Sequence, residues 1–187
     1  MSFRDHPVFF ADDDEGPDAV IIGIHDRVLH HPEPRQAEPL PVAEVSLRRT
    51  AARLGRLAPA AWTVVQHPDM GADHLVVGAG GVYAVTTTRL IGKVLVAAGV
   101  MLHNGHCTDH LSRVEREAAR LSARLGVEVR ALLVVDAESL RVRDEPADVG
   151  VTSSHGVCTW LQQRATALDP APVFRVTALA QRPSTWA

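Results

Sequence analysis

Cysteine is nearly absent from this chain: Cys107 and Cys158 are the only two in 187 residues. That is too few for a disulfide framework and suits a reducing compartment, with a single bridge between the two left open. Long apolar runs are missing as well. None approaches the roughly 18 residues that cross a bilayer, and the opening MSFRDHPVFFADDDEG lacks the basic, then apolar, then small-residue layout of a secretion signal. The expectation is a cytoplasmic protein without a membrane partner. A strong excess of positive charge is lacking too, since the formal net charge is -3, which argues against a dedicated, strongly basic nucleic-acid binder. No internal repeat is visible.

What is present fits one domain and a segment before it. With 46% apolar residues, the chain is long enough for a substantial core and too short for two domains of ordinary size. Its charge is unevenly placed: residues 1–40 hold three Lys/Arg against nine Asp/Glu, leaving sixteen against thirteen in residues 41–187. The first 40 residues, with ADDDEGPD and HHPEPRQAEPLP, read as an acidic, proline-rich, largely irregular segment. Within it, residues 19–29 suggest an edge strand or short hairpin. Residues 41–187 read as the folded domain.

Helical spacing of Val45, Leu47, Ala51, Leu54 and Leu57 predicts an amphipathic helix over residues 44–57, ended by Pro59. Strands are expected over 62–66, 73–77 and 82–88, the last two joined by the turn containing Gly78, Gly80 and Gly81. KVLVA and VMLH continue the sheet to a tight turn at Asn104-Gly105. Leu111, Val114, Ala118, Leu121 and Leu125 then define a long helix stopped by Gly126. Residues 127–135 look like a buried strand, followed by a turn at 136–139 and a short strand at 140–143. GVTSS suggests one more strand, and helices are expected over 157–168 and 172–181.

Several stretches, taken in order, resemble the nuclease-related domain family, abbreviated NERD. They are Trp62-Thr-Val-Val, Asp73-His74-Leu-Val-Val-Gly with Gly80-Gly81-Val82-Tyr83, Gly92-Lys93-Val94, Leu102 with Asn104-Gly105, Glu117-Ala118-Ala119 and Thr185-Trp186. The resemblance runs from about Leu47 to Trp186. It implies an α/β fold similar to that of restriction endonucleases, a mixed central sheet flanked by helices. It also implies phosphodiester hydrolysis, with Mg2+ held by carboxylates and a lysine orienting the attacking water.

Carried over residue by residue, most of that machinery is missing. Asp73 stands at the acid position opening the strand, as a remnant and weak metal ligand. Thr86 and Thr88 stand where an acid and a lysine are expected two residues apart, a spacing that points both at one side of a strand. Leu47 stands at the helical glutamate position, with Glu44 one turn away as a possible migrated acid. Arg89 and Lys93 are substitutes for the lysine only if the strand bulges or bends. Plainer roles exist: three threonines are ordinary strand residues, and an aspartate at a loop-to-strand junction commonly binds backbone amides.

Two further groupings bear on partners. His103, His106, Cys107 and His110 have donor types that bind zinc, while surface histidines are the simpler reading. Arg113, Arg116, Arg120 and Arg124 form a stripe on the long helix, with Arg48, Arg49, Arg53 and Arg56 on the first helix, able to meet phosphates without reading sequence. The expectation is a catalytically degenerate nuclease-related module that binds DNA, another nucleic acid or a protein, with no cofactor. The alternatives are an active Mg2+-dependent deoxyribonuclease with a relocated site, and a protein scaffold that binds no nucleic acid.

Overall fold

The computed structural model describes residues 42–186. The expectations for the acidic segment and for residues 19–29 lie outside them. Among the described residues, four α-helices and seven strands form a mixed α/β domain: α1 (Val42–Leu54), β1 (Trp62–Val65), β2 (His74–Gly78), β3 (Gly81–Ala97), β4 (Val100–His103), β5 (His106–Thr108), α2 (His110–Leu125), β6 (Arg130–Val142), β7 (Val149–Ser153), α3 (Val157–Gln162) and α4 (Pro170–Ala180).

Strands β3 and β6 run parallel as the spine of one sheet. β1, β2 and the first half of β3 form an antiparallel meander. Further along, β3 pairs with β4 and β4 with β5, again antiparallel. β7 lies parallel to β6 on its other edge.

The alternation of side chains along β3 sorts the core into two layers. Val82, Ala84, Val94 and Val96 pack with Leu111, Val114, Ala118, Leu121 and Leu125 of α2 and with Val176 and Ala180 of α4. Tyr83 and Val85 pack on the opposite face with Leu54 and Leu57 of the α1 region and with Val157 and Leu161 of α3. Gly126, at φ +66, ends α2 in the left-handed region and donates its N–H to Ser122 O, as the periodicity of that helix predicts.

Three expectations are corrected. Residues 136–139 are not a turn, because β6 runs unbroken from Arg130 to Val142. The two strand pieces expected on either side of Arg89 are one strand, and an irregularity between Leu90 and Lys93 absorbs the extra residue. Gly92 occupies that bulge at φ +108, and the Asn104 side chain braces it, accepting from Lys93 N at 2.9 Å and donating to Ile91 O at 3.1 Å. Finally, of the face its apolar spacing suggests, the first helix fully buries only Leu54 and Leu57. Its inward stripe is Ser46, Thr50, Leu54 and Leu57, whereas Val45 is 37% exposed. Ser46 turns inward at one end of this helix, where a carboxylate takes its hydroxyl.

Candidate functional site

That carboxylate belongs to Asp136, on β6 directly beside Arg89 of β3. Ser46 Oγ donates to Asp136 Oδ2 at 2.6 Å. Arg49, one turn-step along α1, donates to both oxygens at 3.1 and 3.4 Å, and Arg89 Nη1 lies 3.7 Å from Oδ2. Two guanidinium groups and a hydroxyl therefore converge on a single carboxylate. The apolar run LLVV carries β6 to this point, and the polar side chains of α1 hold it there.

Asp73 sits at the mouth of β2. The β2–β3 ladder ends at the His74–Val85 pair, which leaves the next outward-facing amide of β3, that of Thr87, without a strand partner. Asp73 Oδ2 accepts that N–H at 2.5 Å, so the carboxylate extends the ladder by one bond. A shallow cavity of about 350 Å³ adjoins it, lined by Leu47, Gln66, His67, Gly71, Ala72 and Asp73. Leu47 thus does reach the neighbourhood of Asp73, and it brings a hydrocarbon surface.

The threonines divide between the two faces. Strand alternation from Val82 and Ala84 puts Thr86 and Thr88 on the α2 side, and alternation from Tyr83 and Val85 puts Thr87 and Arg89 on the α1 side. The residue pair that shares a face with α1 is Thr87 and Arg89, one position along from the pair singled out by sequence. Glu44 is turned to solvent, where its Oε1 receives Arg48 at 2.8 and 3.2 Å in an exposed i,i+4 pair. Lys93 lies beyond the bulge and is exposed.

His74, 1% exposed, completes the polar layer. Its Nε2 is 2.7 Å from Gln66 Nε2, and burial holds its pKa below the ordinary 6.5, with Asp73 pulling the other way. Four buried side-chain atoms, Thr50 Oγ1, His74 Nδ1, Thr87 Oγ1 and, on α4, Thr177 Oγ1, have no hydrogen-bond partner among the described residues. The first three belong to residues on the α1 side of the sheet. Native interiors leave few such groups unsatisfied, because each costs roughly 1–3 kcal/mol.

The residues do not fit a Mg2+ ion. Strand spacing and rise put the Cα atoms of Asp73 and Asp136 roughly 14 Å apart, two strands across and three residues along, too far to share one ion. Thr86 and Thr88 supply neutral, weak donors. Among the described residues no group of three or more His, Cys, Asp or Glu gathers as a metal site.

The histidine cluster also disperses. His103 and His106 face each other across β4 and β5, and strand alternation turns Cys107 to the other face. The His103 ring instead contacts Ile91 O at 2.8 Å. His110 opens α2 beside Arg113, its pKa lowered by burial and by that arginine. Both cysteines are free.

Arg113, Arg116, Arg120 and Arg124 are all exposed on α2, as expected. Three of them have neighbours of their own. Arg120 lies 3.6 Å from Glu117, Arg124 reaches Trp186 O at 3.4 Å, and Arg113 approaches His110 Nδ1 at 3.5 Å.

Sequence reading missed Asp136, although one signal was available: a carboxylate directly after a four-residue apolar run, with no glycine or proline to mark a turn. No helix among the described residues is long and apolar enough to cross a membrane. Comparison of the chain with protein-family models, with curated proteins and with solved structures finds no match.

Proposed function

We propose that residues 41–187 form a nuclease-related, restriction-endonuclease-like domain that binds nucleic acid without hydrolysing it. One observation carries this reading: the surviving acid, Asp73, is engaged by the Thr87 amide at 2.5 Å, and the next carboxylate on the α1 side, Asp136, is neutralised by Arg49 and Arg89. Phosphodiester hydrolysis through a divalent ion needs open anionic oxygens. Here one oxygen of Asp73 and both oxygens of Asp136 are engaged in holding strands and a helix together. The mixed sheet with helices on its faces is in keeping with the same family. The test is incubation of the purified protein with supercoiled plasmid in Mg2+ and in Mn2+, beside a mobility-shift measurement at low salt. Retention of DNA without nicking is expected. Nicking that disappears in Asp73→Ala overturns the reading.

A second reading has its own observation. Arg89 and Asp136 place a cation and a carboxylate side by side on β3 and β6, facing α1, which is the pairing of charges a relocated hydrolytic site would use. Nicking abolished by Asp136→Ala and retained by Asp73→Ala would favour it.

A further inference from the structure

The two long spine strands outrun the helix on one side of the sheet. Over the first half of β3, the α1 region and α3 cover the face carrying Tyr83 and Val85. Beyond the bulge at Gly92, α2 still covers Val94, Val96 and Met101. The opposite face there carries Lys93 and Leu95 of β3, Ser139 and Arg141 of β6, Leu102 of β4 and, just past β6, Arg143. Register fixes this arrangement: Lys93 lies beside Ser139 and Leu95 beside both Arg141 and Leu102. Arg143 N continues the ladder to Val96 O at 2.9 Å. Together with Gly105 these residues line a concavity of about 340 Å³.

Three cations share this surface and no carboxylate lines it among the described residues. None of the three takes part in an ion pair with another described residue. Asp144, the acid next in sequence, is turned to the Ala98 amide at 3.4 Å. The arginine stripe of α2 differs, since Glu117 sits within it and Arg124 is drawn to a backbone carbonyl. Of the two basic surfaces, the sheet face therefore leaves its charges the more available.

We propose that this sheet face, through Lys93, Arg141 and Arg143, is the surface that grips the phosphate backbone of duplex DNA, a proposal that rests on the nucleic-acid reading above. Arg141 and Arg143 project from alternate positions of one extended chain, about 6.6 Å apart, a spacing comparable with that of successive phosphates along one strand. Lys93 adds a third charge across the spine. The floor between them is Leu95 and Leu102, with no aromatic ring. Single-strand binding leans on stacking of bases against aromatic side chains, so the face suits a duplex, whose bases stack on each other and whose phosphates point outward. Contacts of this kind position a duplex without reading its sequence.

Lys93 is the only lysine in the chain, which makes the contact directly observable. An amine-reactive ester labels a single side chain, and saturating duplex is expected to protect it. In titrations followed by fluorescence anisotropy, the combined variant Lys93→Gln, Arg141→Gln, Arg143→Gln should flatten the slope of log affinity against log salt by about 2.7, three contacts at about 0.9 each. Those contacts account for a loss of about 40-fold between about 50 and 200 mM salt in the unmodified protein. All three residues are exposed, so the variant is expected to fold, and a circular dichroism spectrum matching that of the unmodified protein is the check.

Four outcomes separate the possibilities. Loss of binding in this variant with Lys93 protected supports the proposal. Loss only when Arg113, Arg116, Arg120 and Arg124 are changed to Gln overturns it and leaves the nucleic-acid reading standing. Failure of the unmodified protein to retain duplex or single strand at low salt removes the nucleic-acid reading itself. A polyglutamate peptide or a single strand of equal charge that binds as tightly as duplex, with the same protection of Lys93, overturns the choice of duplex DNA as the occupant.

Discussion

The Asp73 carboxylate accepts the Thr87 backbone N–H at 2.5 Å, joining the mouth of β2 to β3 one residue past the end of their ladder. A side chain that the family resemblance implies as a metal ligand is here part of the sheet. Its replacement by alanine strands a partly buried amide and should cost about 1–3 kcal/mol. Asp73→Asn keeps an acceptor oxygen and should recover most of that loss. Urea denaturation of the three proteins measures both, and equal destabilisation by Ala and Asn would show that charge rather than the hydrogen bond matters.

Asp136 ties α1 to β6 through Ser46 and Arg49 and β3 to β6 through Arg89. Asp136→Ala leaves those partners facing one another unneutralised, and a loss of about 1–3 kcal/mol is expected. Ser46→Ala alone should cost about 1 kcal/mol. Because the two share a hydrogen bond, the double variant should be less destabilised than the sum, with a coupling of about 0.5–3 kcal/mol. Strict additivity in a double-mutant cycle would mean that the contact contributes nothing.

His74 makes stability depend on pH with a definite sign. Its folded pKa lies below 6.5 through burial, so between 6.5 and that lower value the unfolded ring binds a proton that the native ring refuses. The unfolded state takes up more protons there, and stability falls as pH drops from 6.5, levelling off once the native ring is itself protonated. His110, shifted in the same direction, adds a second contribution. His74→Leu should flatten the pH dependence of the urea midpoint below 6.5. A curve identical to that of the unmodified protein would remove His74 as its source.

Gly92 holds the bulge of β3 at φ +108, and a Cβ there would stand 2.4 Å from Asn104 Oδ1. Gly92→Ala is therefore both strained and crowded, at an expected cost of about 1–3 kcal/mol. The bulge also sets which side chains reach the sheet face carrying Lys93. Thermal unfolding gives the cost, and amine labelling of Lys93 should change in rate if the strand straightens.

Local pattern was enough to read several elements of this fold. Leu111, Val114, Ala118, Leu121 and Leu125 recur at helical spacing and are the residues buried under α2, because a repeat of 3.6 residues has one way to bury an apolar stripe. The hairpin at Gly81 and the helix stop at Gly126 were legible for similar reasons: glycine takes φ +132 and φ +66 more readily than any other residue. The acid at Asp73, and the plainer possibility that it binds an amide, were also visible in one dimension.

The neighbours of each polar group were decided only in three dimensions. Asp136 is 90 residues from Ser46 and 47 from Arg89 in the chain, and a carboxylate after LLVV gives no hint of which cations will neutralise it. The same contact turns Ser46 inward, against the helix's own apolar spacing, since a partly buried carboxylate demands partners more strongly than one valine demands burial. Strand alternation, anchored by the packing of Tyr83 and Val85, then set Thr87 and Arg89 toward α1 in place of Thr86 and Thr88. Periodicity is a property of neighbouring residues and can be read from them; electrostatic satisfaction and the phase of a strand depend on groups that only the folded chain brings together.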